Sequence, residues 1–292
     1  MDGEDRTAET VGLEWRRLSS GFGCTFADRG KQAEGVPLLF LAPLGRDHTA
    51  WAEVLPFFEE EHRCVLPNYR GTGGSDRASS GHSLRQFAAD AAELVDDLAI
   101  SRIQVIGYSM GAATAMELAI QRPDLVSRLV LVSPWSYTDR NLGECFEIMR
   151  LLAKHCTAEQ YERAVAWLIF SPDYLEMHWD EVLKGIGDLI TTSTYPTVDT
   201  MVGHVEASIA HDVRDRLAAI SAPTTVIAGE CDRLTPPSYA EDVCEGIPNA
   251  SYELITGSGS SHGLVRERLD TLVSIAGRFL RVGEDGQPEY LA

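Results

Sequence analysis

Apolar residues in this chain follow two rhythms. Short, nearly continuous apolar runs lie at Leu38–Ala42, Cys64–Leu66, Ile103–Gly107, Leu129–Ser133, Thr224–Ala228 and Ser251–Ile255. Bounded by turn-forming residues, such runs predict buried strands. Between them apolar positions return every three or four residues, as at Leu84, Phe87, Ala88, Ala91, Leu94, Val95 and Leu98. That is the spacing of a helix with one buried face. Strands alternating with helices predict βαβ units, hence an α/β fold whose mostly parallel sheet is covered by helices on both faces.

Three stretches depart from this alternation. Leu13–Ala27 carries Ser19-Ser20-Gly21 between two part-apolar runs, which predicts an opening antiparallel hairpin. Residues 50–60 read as a helix anchored by Trp51. From 137 to 210 the strand pattern stops, and Met149, Leu151, Leu152, Trp167, Leu168, Phe170, Tyr174 and Leu175 mark a helical region. Because the strand pattern resumes at Thr224, residues 137–210 read as a helical cap inserted into a core domain of residues 1–136 and 211–292. The polar tail from Gly283 is expected to fray.

Composition narrows the function. Lys and Arg number 25 against 44 Asp and Glu, a formal charge of -19. That sign is wrong for gathering nucleic acid or anionic lipid and fits small-molecule work. Six scattered cysteines (Cys24, Cys64, Cys145, Cys156, Cys231, Cys244) form no C-x-x-C pair and no Cys/His cluster at zinc spacing. They read as small buried hydrophobes in a reducing compartment, and neither a metal nor an organic cofactor is expected. The acidic start does not resemble a secretory signal, and no run approaches the roughly 18 apolar residues of a membrane span. A cytoplasmic protein without a membrane segment is the expectation.

The chemistry concentrates in three places. Gly107-Tyr108-Ser109-Met110-Gly111 is a G-x-S-x-G sequence directly after a predicted strand and directly before a predicted helix. In that context the serine sits on a sharp strand-to-helix turn with its hydroxyl exposed above the sheet, and the flanking glycines avoid collisions. A serine becomes a nucleophile when a base takes its proton and an acid orients that base. Asp232 follows the strand run TTVIAGE at the carboxyl edge of the sheet, where open parallel sheets bind ligands. His262 follows the run SYELI and precedes a helical run. Glu230 and Asp139 are the competing acids. The other seven histidines precede Asp232, against the Ser, Asp, His order of such sites.

With these residues the chain resembles the α/β-hydrolase superfamily from about Leu13 to Leu280. Two further motifs carry the resemblance. Asn68-Tyr69-Arg70-Gly71-Thr72-Gly73-Gly74-Ser75-Asp76 is similar to the family's D-x-R-G-x-G-x-S loop after the fourth strand and has a structural role. Leu41-Ala42-Pro43-Leu44-Gly45 aligns with its His-Gly-x-Gly loop, with Ala42 in place of the histidine and Pro43 in place of the first glycine. The resemblance implies a triad of Ser109, Asp232 and His262, and an oxyanion hole of the Leu44 and Met110 backbone N–H groups. Pro43 fixes one dihedral beside the Leu44 amide. Gly45, His48, Trp135, Trp167 and Phe170 are candidates for the substrate pocket, with Met177 nearby.

These roles imply a serine hydrolase that opens a carboxylic ester, lactone or thioester through an acyl-enzyme. Three other uses of the same fold stay open: cleavage of a carbon–carbon bond beside a ketone, acyl transfer or cyclisation, and a non-catalytic small-molecule receptor. The expected partner is a small molecule with a carbonyl group. Nothing in the sequence sets the oligomeric state.

Overall fold

The computed structural model describes residues 12–77 and 82–281. The N-terminal segment and the polar tail, for which fraying is expected, lie outside the described residues. Eight strands form one sheet: β1 (Leu13–Arg17), β2 (Gly23–Arg29), β3 (Gly35–Leu41), β4 (His62–Pro67), β5 (Ile103–Tyr108), β6 (Val126–Val132), β7 (Thr224–Gly229) and β8 (Ala250–Ile255). Their order is β1-β2-β4-β3-β5-β6-β7-β8. The opening hairpin is antiparallel with Leu13 opposite Ala27, β2 runs antiparallel to β4, and all other pairs are parallel.

Every residue of β5 and β7 is buried, as strands covered on both faces require. Alternate side chains of one strand serve two different cores. Leu39 and Leu41 of β3 join the core beneath α1 (Leu84–Asp97) and α2 (Met110–Gln121). Leu38 and Phe40 join the opposite core with Trp51, Leu272, Ala276 and Leu280. The last three belong to the helix Leu269–Leu280, which a non-helical Arg268 separates from the short helix Leu264–Glu267.

The predicted helix over 50–60 is absent. Two 3-10 turns, His48–Trp51 and Leu55–Phe57, replace it. Pro56 explains the difference, since its ring clashes with the carbonyl four residues earlier and it has no N–H to donate. Trp51 still anchors the segment, fully buried with its ring edge-on to Phe40 at 5.3 Å and Tyr108 at 6.3 Å.

Between β6 and β7 the chain forms α3 (Arg140–His155), α4 (Ala158–Ile169), α5 (Pro172–Ile190) and α6 (Val198–Ile209). Each opens on a capping side chain: Asp139, Thr157, Ser171 and Thr197 accept a first-turn N–H, and Thr157 forms a reciprocal capping box with Gln160. Helices α3 and α6 bury Leu142, Phe146, Met149, Met201 and Val205 against the main core. Helices α4 and α5 instead close a small cluster of Ala166, Phe170, Val182 and Ile186. α5 also breaks helical geometry at His178.

Candidate active site

Ser109 stands between β5 and α2 at φ 56°, ψ -120°, a conformation that an L-residue adopts under strain. The turn is too tight for side chains beside it. A Cβ on Gly111 would lie 1.9 Å from the Leu41 carbonyl oxygen, and one on Gly107 would lie 2.4 Å from that of Gly111. The Ser109 N–H donates to the Val132 carbonyl at 2.9 Å, which ties the turn to β6.

The loops after β7 and β8 bring two more groups to this point. His262 Nε2 lies 3.0 Å from Ser109 Oγ, and His262 Nδ1 lies 2.7 Å from Asp232 Oδ2. All three side chains are buried. The other Asp232 oxygen accepts the N–H groups of Leu234 and Thr235 at 2.9 Å each, an Asx-type turn that fixes the carboxylate plane. The geometry lets the imidazole take the serine proton while the carboxylate orients it and balances its charge. The two competing acids are engaged elsewhere. Glu230 accepts the Gly257 N–H, and Asp139 caps α3 and accepts the Tyr239 hydroxyl.

Leu44 lines the cavity beside Ser109, and Met110 follows Ser109 directly in the chain. Met110 is the first residue of α2, so its N–H precedes the helix's own bonding pattern. The Leu44 N–H, after β3, has no acceptor among the described residues. The Pro43 carbonyl accepts the Arg46 N–H at 3.1 Å in the turn that follows. The positive end of α2 adds to the field at Ser109.

Ser109 and His262 open onto a cavity of about 480 Å³. Its floor is Pro43, Leu44, Tyr108 and Leu234, and its far wall is Val165, Ala166, Ile169, Phe170, Val182 and Ile186 from α4, α5 and the link between them. Two ion pairs interrupt this apolar surface, the exposed Arg266 with Glu53 at 3.5 Å and the more buried Arg46 with Glu162. Arg46 Nη1 donates to Glu162 Oε1 at 2.9 Å, its other terminal nitrogen binds the second oxygen, and the Tyr195 hydroxyl donates to Oε1 at 2.9 Å. Burial opposes the Arg46 charge, but the Glu162 carboxylate outweighs it and holds the guanidinium pKa above its ordinary value. No cluster of three or more His, Cys, Asp or Glu side chains able to hold a metal occurs among the described residues.

Of the candidate pocket residues, Phe170 lines the cavity and the others do not. Gly45 sits at φ 67° in the turn, where a Cβ would meet the Met201 sulfur at 2.6 Å. His48 donates its N–H to Asn68 Oδ1 at 2.7 Å, bracing the glycine loop. Trp135 is buried against Phe146 and His211 with its indole N–H on Thr138, joining the helical region to the core. Trp167 is 61% exposed beneath the Arg233 guanidinium, and Met177 is exposed as well. Apolar spacing identifies helices but does not say which face of a loosely packed helix turns toward a cavity.

Several residues around the site escape a reading of the sequence. The Tyr108 hydroxyl donates to the His262 carbonyl at 2.7 Å, and burial pushes its phenol pKa well above the ordinary value. The Thr235 hydroxyl lies 3.0 Å from Asp232 Oδ2 and 3.2 Å from His262 Nδ1. Glu267 accepts the Ser171 N–H at 2.9 Å and the hydroxyls of Ser171 and Ser261, tying the His262 loop to the start of α5. Only Thr235 left a local signal, since Asp-x-x-Thr is itself a turn pattern. The partners of Glu267 lie 6 and 96 residues away, the second far beyond any local spacing.

The sheet order, the helical insertion after β6 and the serine elbow after β5 define an enzyme of the α/β-hydrolase fold, a hydrolase. More narrowly, the family model described as serine aminopeptidase, S33, matches residues 54–269, and the chain belongs to that family. A relative from Azorhizobium caulinodans named "Putative carbamate hydrolase RutD" is 29% identical over 216 residues, covering 74% of this chain and 81% of the relative. Among solved structures, the enol-lactonase from Burkholderia xenovorans superposes with a TM-score of 0.81 at 24% identity, covering 91% of this chain and 99% of its own. MGS-M2, an α/β-hydrolase enzyme from a deep-sea metagenome library, gives 0.84 at 21% identity, covering 96% and 99%. At these identities the two structures speak to the fold. No helix among the described residues is long and apolar enough to cross a membrane.

Proposed function

We propose that the protein is a serine hydrolase that opens a carboxylic ester, lactone or thioester through an acyl-enzyme. The observation that carries this reading is the unbroken line from Ser109 Oγ through His262 to Asp232, with contacts of 3.0 and 2.7 Å, at the mouth of a largely apolar cavity. His262 Nε2 takes the Ser109 proton as Oγ bonds to the carbonyl carbon. The carbonyl π pair moves to oxygen, where the Leu44 and Met110 N–H groups stabilise the charge. The intermediate collapses, the leaving group departs with the proton held by His262, and water repeats the sequence to release the acid. Residues 137–210 act as a cap that shapes the acyl pocket.

The names of the relatives support a carbonyl flanked by a heteroatom, since carbamate and lactone carbonyls undergo the same attack. The test is turnover of a panel of p-nitrophenyl esters, lactones and thioesters by the wild type and by Ser109→Ala. Turnover of at least one class that the substitution abolishes is expected. Turnover that survives the substitution would overturn the assignment of the nucleophile.

A further inference from the structure

The charged side chains that line the cavity are largely exposed except at the Arg46–Glu162 pair, and that exception carries information about the substrate. Arg46 lies two residues beyond Leu44 in the loop after β3, while Glu162 comes from α4 across the cavity. The Glu162 side chain is 1% exposed, and that of Arg46 is 22% exposed toward the cavity it lines. Two charges held in apolar surroundings are costly to desolvate, and replacing such a pair with apolar side chains is often neutral or stabilising. A pocket that merely held an alkyl chain would have no use for them.

The pair is electrically balanced yet not hydrogen-bond saturated. A guanidinium has five N–H groups, and Glu162 engages both terminal nitrogens. Among the described residues no other side-chain or carbonyl acceptor takes the rest. A neutral oxygen of a ligand can therefore accept from Arg46 without disturbing its partner. A ligand carboxylate could bind there only by crowding Glu162, placing two negative charges on one guanidinium in a medium where such repulsion is poorly screened. The surroundings act in the same direction. Glu53, Glu181 and Asp188 also line the cavity, with Arg266 as the other cation, and the whole chain carries a formal charge of -19.

We propose that this pocket selects an uncharged, mainly apolar acyl substrate with a second neutral acceptor oxygen, bound by Arg46, and rejects the equivalent substrate bearing a carboxylate. The inference rests on the serine-hydrolase reading above and adds a substrate class to it.

Three p-nitrophenyl esters of equal chain length test it on the wild-type protein at neutral pH: the hexanoate, the 5-oxohexanoate and the mono-ester of adipic acid. The hexanoate is expected to exceed the adipate mono-ester in kcat/KM by at least about tenfold. The 5-oxo ester is expected to bind with a KM about threefold or more below that of the hexanoate, the scale of one hydrogen bond. Glu162→Gln leaves Arg46 unbalanced and should narrow the charge discrimination by about tenfold. Should that variant fold poorly, the paired change Arg46→Leu with Glu162→Leu removes both charges and should erase the preference for the 5-oxo ester. Equal or better turnover of the adipate mono-ester by the wild type overturns the charge selection, and equal KM values for the two neutral esters overturn the acceptor site. If the wild type turns over none of the three and forms no fluorophosphonate adduct, the serine-hydrolase reading fails and this inference falls with it. If an adduct forms and turnover is indifferent to charge, the inference alone fails.

Discussion

Two walls of one cavity are built on opposite principles. On the sheet side, Ser109, Asp232 and His262 sit on turns after three parallel strands, and both Asp232 oxygens and His262 Nδ1 have a further partner in Leu234 or Thr235. On the facing side, α4 and α5 offer a mainly apolar surface broken by Glu162, Glu181 and Asp188. α5 buries only Val182 and Ile186 and breaks its helical geometry at His178. The first wall tolerates almost no change in residue type, because its backbone is strained and its hydrogen bonds are specific. The second, apart from Glu162, needs mainly apolar volume. On the proposed reading, chemistry belongs to the rigid wall and substrate choice to the permissive one.

Substitutions on the rigid wall should be far more damaging. Ser109→Ala removes the proposed nucleophile and should lower kcat by at least about 10⁴-fold with an unchanged melting curve. A melting transition that collapses together with activity would mean that the turn, rather than the hydroxyl, was lost. Asp232→Asn keeps the shape but loses the charge that orients the imidazole, and a fall of about 10³- to 10⁴-fold in kcat is expected. A mild effect would mean that His262 is held without it. Thr235→Val keeps the volume and deletes one hydroxyl contact to the carboxylate. A fall of about tenfold in kcat with little change in KM is expected, whereas a pure KM effect would place Thr235 with the pocket. On the solvent-facing side of α5, away from the cavity, Met177→Ser should change kcat/KM by less than about twofold, as suits an exposed side chain.

A final, smaller effect concerns stability. His204 of α6 and His211 just after it are buried, and burial lowers each pKa from 6.5 to about 4. Hydrogen bonds to the Arg70 and Trp135 carbonyls, and for His211 the Glu117 carboxylate, oppose that shift without reversing it. His82 faces His204 and adds to the depression. Below the ordinary histidine value the unfolded chain binds these protons and the folded one does not, so stability falls with pH between about 6.5 and about 4. The thermal midpoint should therefore drop across that interval, and His204→Asn should make the drop shallower. An unchanged slope would remove His204 from the account.

How much of this was legible in the sequence follows the same division. The strands, the opening hairpin and the residues of the serine elbow could be read because their geometry admits few residue types: Gly107 and Gly111 are where a Cβ would strike backbone. Asp232 and His262 could be read from their places after β7 and β8. The 3-10 turns over 48–57 could not, because a helical apolar spacing concealed what Pro56 forbids. Trp135 and Trp167 looked alike as aromatics of the helical region. One packs that region on the core and the other faces solvent under Arg233, a difference set by tertiary packing. Arg46 and Glu162, 116 residues apart, meet only in the folded chain.

The central claim is that Ser109 is an activated nucleophile, and covalent labelling tests it most directly. Wild type and Ser109→Ala would each be treated with a fluorophosphonate probe and weighed intact by mass spectrometry. The account predicts a single adduct on the wild type and none on the variant. A well-folded wild type that takes up no probe, or a variant that is labelled as readily, would contradict it.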